Sequence, residues 1–107
     1  MKKIIIFTFS SRKIILSGKL FDIGVNLDSV LILSDKENLG DILRETRPKI
    51  ILVDGELPND LFLDCIDIAE KSISDFDMDT KLCVFERDRK TPGTIFITGL
   101  IDLKNIV

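Results

Sequence analysis

The chain has no histidine, and that absence removes more chemistry than any single residue present adds. Without an imidazole, His-based acid–base catalysis, His metal ligation and phosphohistidine chemistry on this chain are excluded. Cysteine is scarce as well. Cys65 and Cys83 are the only two, each among apolar neighbours and in no CxxC spacing. A catalytic thiol usually needs a base beside it, so two reduced core thiols are expected. No apolar run approaches the roughly 18–20 residues of a membrane span. The start, Lys2-Lys3 followed by Ile4-Ile5-Ile6-Phe7, is too short for a signal peptide and has no small-residue cleavage site, so it reads as a first strand. A cytoplasmic protein with no membrane partner is the expectation. Nor is there an excess of positive charge: 15 basic residues stand against 18 acidic ones, a net charge of -3. The basic cluster Arg87, Arg89, Lys90 is interrupted by Asp88 and has no aromatic residue to stack a base, so no nucleic-acid partner is expected. Gly-rich phosphate loops, nucleophile elbows and metal motifs are all missing, and an enzyme is not expected.

What is present is an alternating pattern of strands and helices in 107 residues, the length of one domain. Lys3–Phe9 reads as a strand. Ser10 or Ser11 offers a cap for a helix to about Phe21, with Ile14, Ile15, Leu16, Leu20 and Phe21 as inner positions. Ser29–Leu33 is a second strand. Ser34-Asp35-Lys36-Glu37 has the form of a capping box, leading a helix with Leu39, Ile42 and Leu43 inward and Pro48 at its end. Lys49–Val53 is nearly all apolar, which predicts a central strand buried on both faces. A third helix starts at Asn59 or Asp60 with Phe62, Cys65, Ile66, Ala69 and Ile73 as its core stripe. Lys81–Glu86 and Thr94–Gly99 are the last strands. Arg87–Gly93 holds seven residues, and a parallel crossover needs about a dozen or more. Strand five is therefore expected to be an antiparallel edge in a hairpin with strand four, and the fourth crossover helix to be missing.

The segment Ile50-Ile51-Leu52-Val53-Asp54-Gly55-Glu56-Leu57-Pro58 carries the most information. A buried strand runs straight into a carboxylate, which is how a parallel strand delivers an acid to the carboxyl edge of an open α/β sheet. With the opening strand Lys2–Phe7 and the stretch Glu37–Asp54, this segment resembles the receiver domain of two-component response regulators. Asp54, two variable residues, Leu57 and Pro58 match the family's acid, large apolar residue and Pro. The resemblance covers about Lys2 to Leu82. It implies a flavodoxin-like (CheY-like) three-layer sandwich with a mostly parallel five-stranded sheet. It also implies that Asp54 stands at the phosphoacceptor position, fed by a phosphohistidine partner with magnesium.

The chain departs from that family at its chemistry. The acidic pair that helps hold magnesium falls at Thr8 and Phe9. The Ser or Thr that ends strand four falls at Phe85 and Glu86, and the Lys that ends strand five falls at Gly99. A degenerate receiver-like module acting through protein contact is therefore expected, with Asp54 not phosphorylated and no magnesium or other cofactor. The alternatives are a phosphoaccepting receiver with an unusual metal site and a structural or assembly protein sharing only the topology. Asp54 is either a helix-cap or edge carboxylate or a functional acid. Asp54, Glu56 and Glu86, with Asp88, could gather at one edge as a cation site, though solvated loop acids are the commoner outcome. Phe9 is expected to substitute packing for polar chemistry. Ile95, Phe96, Ile97, Leu100, Ile101 and Leu103 are an apolar concentration that reads as the interface with a protein partner of unknown identity, including a homodimer through strand five and the tail. The competing expectation is that the tail folds back over strands four and five.

Overall fold

The computed structural model describes residues 3–97. It is an α/β fold with five strands and three helices: β1 (Ile4–Phe7), α1 (Lys13–Asp22), β2 (Val30–Leu33), α2 (Leu39–Thr46), β3 (Ile50–Asp54), α3 (Asn59–Asp75), β4 (Lys81–Phe85) and β5 (Ile95–Ile97). The strands form one sheet in the order β2-β1-β3-β4-β5, and every neighbouring pair is parallel.

The apolar runs explain the sheet. β1 and β3 are buried along their whole length, and a strand buried on both faces belongs at the centre of a parallel sheet. Alternate residues feed two cores. Ile5, Phe7, Ile51, Val53, Leu82 and Val84 pack under α2 and α3, which supply Leu39, Leu43, Phe62, Cys65, Ile66 and Ala69. Ile4, Ile6, Ile50, Leu52, Cys83 and Phe85 face the other side, where α1 supplies Leu16 and Leu20. Cys65 and Cys83 thus lie in different cores on opposite faces of the sheet, both as free thiols.

Strand five corrects the expectation of an antiparallel hairpin. Cys83, Val84 and Phe85 pair in parallel with Ile95, Phe96 and Ile97. The requirement for a long crossover assumes that the chain must return along a full strand with a helix on the way. β5 starts opposite Cys83, two residues before the end of β4, so residues 86–94 need to climb back only about 7 Å at roughly 3.3 Å per residue. The reversal at Gly93, with φ +82°, brings the chain into β5. Between Phe85 and Ile95 there is no helix. The remaining tail residues, Gly99, Leu100, Ile101 and Leu103 among them, lie outside the described residues.

The first helix also differs from its expected face. Leu16 and Leu20 are fully buried, but Ile14 is 86% exposed, Phe21 is 71% exposed and Ile15 also faces outward. Positions 16 and 20 share a face, and 14, 18 and 21 fall on the opposite one; only the narrower stripe reaches the sheet. Neither Ser10 nor Ser11 caps this helix. Ser10–Arg12 form a 3-10 turn, Arg12 occupies the N-cap of α1, and Ser10 donates to Ser34 Oγ at 3.0 Å. Ser34 does not close a capping box; Asp35 accepts from the Glu37 amide instead, at 3.0 Å.

At the end of β3 the backbone is held tightly. The Gly55 amide donates to the Phe85 carbonyl at 2.8 Å. A Cβ on Gly55 would stand 2.2 Å from the Arg87 carbonyl oxygen and 2.9 Å from that of Phe85. Only glycine lets the β3–α3 turn lie this close to the chain leaving β4.

Three substitutions check this packing by chemical denaturation. Gly55→Ala is expected to lower stability by roughly 1–3 kcal/mol, the range for overpacking. Ile14→Lys should stay within about 0.5 kcal/mol of the parent, whereas Leu16→Ala should cost about 2–5 kcal/mol.

Candidate functional site

The strand order reverses between β1 and β3: the chain runs outward from β1 to β2, then returns past β1 to β3. In open α/β sheets the crevice beyond the carboxyl ends of the strands at such a reversal is where sites are built. Asp54 is the last residue of β3 and sits in that crevice. Thr8 and Arg12 enter it from the segment that follows β1.

Asp54 is fully buried and its carboxylate is met by three donors. Oδ2 accepts from Thr8 Oγ1 at 2.7 Å and from Arg12 Nη1 at 2.7 Å. Oδ1 accepts from the backbone amide of Glu56 at 2.9 Å. The Arg12 side chain is 21% exposed, so one end of the guanidinium reaches solvent while the other neutralises the buried acid. That second end pairs with Glu86: Arg12 Nη2 lies 3.4 Å from Glu86 Oε1, and Lys19 Nζ lies 3.8 Å from the same oxygen. Glu86 holds a left-handed backbone, φ 74°, immediately after β4. The result is a chain of alternating charge, Lys19, Glu86, Arg12, Asp54, across the carboxyl edge.

An unpaired carboxylate with no exposure would be very costly, and Arg12 removes that cost with a charge-assisted hydrogen bond. The same contacts occupy both oxygens of Asp54. Its electron density is drawn by a cation and two further donors, and no solvent reaches it.

The other sequence-predicted residues separate. Glu86 is brought to Asp54 only through the guanidinium between them. Glu56 is exposed and contributes its amide, not its carboxylate. Asp88 is exposed too. Among the described residues, no three His, Cys, Asp or Glu side chains gather as a group able to hold a metal ion. Thr8 is buried and donates to Asp54, and Phe9 is partly buried, packed against the core under α2 and α3. Within the expected interface, Ile97 is 4% exposed and belongs to the core on the α1 side, whereas Ile95 and Phe96 are exposed.

Arg12 is the residue that the sequence reading missed. One signal was present. A cation at the N-terminus of a helix opposes the helix dipole, and α1 opens on Arg12 and Lys13 with no acid in its first turn. A local rule broken in the loop after a central strand points to a tertiary partner that compensates.

The chain matches no family model, no curated protein and no solved structure. Among the described residues, no helix is long and apolar enough to cross a membrane.

Both thiols are inert by environment. Burial pushes the Cys65 thiol up to about 12 and raises that of Cys83 as well. An unfolded chain releases these protons near pH 8.5, while the folded chain keeps them. Stability is therefore unaffected by the thiols below about pH 8 and falls as pH rises beyond it, because the native state then binds more protons than the unfolded one. Alkylation by iodoacetamide at pH 8 should be negligible in the native protein and complete in denaturant.

Removing Arg12 should cost far more than removing its partner's charge. Arg12→Ala leaves the buried carboxylate uncompensated and is expected to lower stability by about 3 kcal/mol, the low end for breaking a buried pair. Asp54→Asn keeps an acceptor for Thr8 and leaves a cation that still has Glu86 and solvent, so its cost should be smaller. Urea denaturation of the two variants checks the order.

Proposed function

We propose that this chain is an atypical receiver-like signalling module of flavodoxin-like (CheY-like) fold, working by protein–protein contact and not by phosphorylation. The observation that carries the reading is the saturation of Asp54. The acid stands at the end of the third strand, with Pro58 ahead of α3, where a receiver's phosphoacceptor would stand. Its fixed cation is Arg12. The strand order 2-1-3-4-5 supports the ancestry. The side-chain contacts support the loss of chemistry: a phosphoryl donor would have to displace the guanidinium and the Thr8 hydroxyl before reaching an oxygen of Asp54.

Protein contact is supported by the apolar residues that the fold leaves outside. Ile14, Ile15 and Phe21 on α1 and Ile95 and Phe96 on β5 are exposed, and exposed apolar side chains are what a protein partner would cover. The partner in this reading is a protein, with pairing of two copies through β5 and the tail as one form of it. Two buried thiols on opposite sheet faces suit a reducing compartment, the cytoplasm. The alternative, a phosphoaccepting receiver, draws its support from the placement of Asp54 alone and requires Arg12 to swing out.

Beryllofluoride with magnesium, a mimic of the acyl phosphate, separates the two. The amide spectrum around Thr8, Asp54 and Gly55 should not change on titration. A saturable, magnesium-dependent shift at those residues would establish phosphoacceptance and overturn the proposal.

A further inference from the structure

Residues 86–94 join β4 to β5 without a helix, and they carry a guanidinium with one nitrogen that has no hydrogen-bond partner. Among the described residues, Arg89 Nη1 is the one buried side-chain nitrogen or oxygen without a hydrogen-bond partner. The Arg89 guanidinium carbon lies 4.7 Å above the ring of Phe62, in the first turns of α3. The aromatic face balances part of the charge but accepts no conventional hydrogen bond. Asp88, its sequence neighbour, forms no ion pair with it among the described residues. A buried donor left unmade is costly, and each such group in a native fold calls for an explanation.

The surroundings suggest one. Arg89 lines a groove of about 520 Å³ with Asp88, Lys90, Thr91, Pro92, Thr94 and Phe96. That volume lies within the range of small-molecule sites. Two of the lining side chains are cationic and one is anionic. Pro92 and the partly exposed Phe96 add an apolar wall. Thr91 and Thr94 tie the loop to itself, Thr91 Oγ1 donating to the Arg89 carbonyl at 3.3 Å and Thr94 Oγ1 to the Thr91 carbonyl at 2.8 Å. These bonds hold the segment that presents the guanidinium.

We infer that this groove is an anion site, taking a small molecule that carries a phosphate or carboxylate group on a flat apolar body. The oxyanion accepts from Arg89, with Lys90 adding charge at the rim, and the apolar body lies against Phe96 and Pro92. The planar fork of a guanidinium matches a two-oxygen acceptor, and in Arg89 the Nη1 donor is the one left without a partner. The inference stands independently of the receiver-like reading, since none of these residues touches Asp54.

The test titrates labelled full-length chain with phenyl phosphate, benzoate and inorganic phosphate, read by NMR. Phenyl phosphate should move the amides of residues 88–96 and the Arg89 side-chain Nε signal saturably. The phosphate and benzoate arms show which oxyanion is preferred and whether the ring contributes. Arg89→Gln should weaken binding by about tenfold or more, the loss of a charge-assisted hydrogen bond. Phe96→Ala should weaken phenyl phosphate but not inorganic phosphate. Linear, unsaturated shifts would overturn the inference, as would undiminished affinity in Arg89→Gln. An Arg89 Nε signal that stays in place while Lys90 responds would overturn it as well, and that reading needs no variant to fold.

Discussion

The contact between Arg12 and Asp54 organises the carboxyl edge of the sheet. It joins the loop after β1 to the end of β3 across the point where strand order reverses. An acid buried there needs a counter-charge, and the fold supplies it from within. Thr8 and the Glu56 amide complete the shell. Glu86 then anchors the outer end of the guanidinium and ties the end of β4 to the same cluster. Three neighbouring strand ends are held by charges at one edge, while their interiors are held by apolar packing on two faces. The tight turn at Gly55 lies at the same edge, its amide donating to the Phe85 carbonyl beside Glu86.

This edge has the layout of a reactive site and the chemistry of a structural one. Carboxylates that accept phosphoryl groups need an exposed oxygen and a mobile cation. Here the cation is covalently part of the chain and the oxygens are occupied. Such a pair costs desolvation on both sides, and an apolar replacement of equal volume could be as stable. In the reading proposed above, partner contact falls to the outer face of α1, the exposed part of β5 and the groove around Arg89.

Much of the fold was legible in the residues. Runs such as Ile50-Ile51-Leu52-Val53 have one physical solution, a strand covered on both sides, and the helical stripe of α3 has one as well. Asp54 was legible as an edge acid because a charged residue directly after such a run has nowhere else to go. The antiparallel reading of β5 failed because the crossover length needed depends on how far the chain must climb back, and the register that starts β5 opposite Cys83 is settled by pairing and not by local sequence. The face of α1 failed because Ile14, Ile15 and Phe21 are apolar without being needed: among the described residues α1 reaches the sheet core through Leu16 and Leu20. Arg12 was invisible to motif reasoning because its partner is 42 residues away. Only its awkward place at a helix start hinted at a distant acid. The capping serines failed for a related reason, since Ser10 and Ser34 are drawn to each other and not to their own helix starts.

The central claim is that Arg12 and Asp54 stabilise one another as a buried pair, and a double-mutant cycle measures that directly. Urea denaturation of the parent, Arg12→Ala, Asp54→Ala and the double variant isolates the coupling. The account predicts a favourable coupling of about 2 kcal/mol or more, with the double variant more stable than Arg12→Ala alone because the stranded charge is gone. Additive losses, with a coupling near zero, would contradict it and place the two side chains in separate environments.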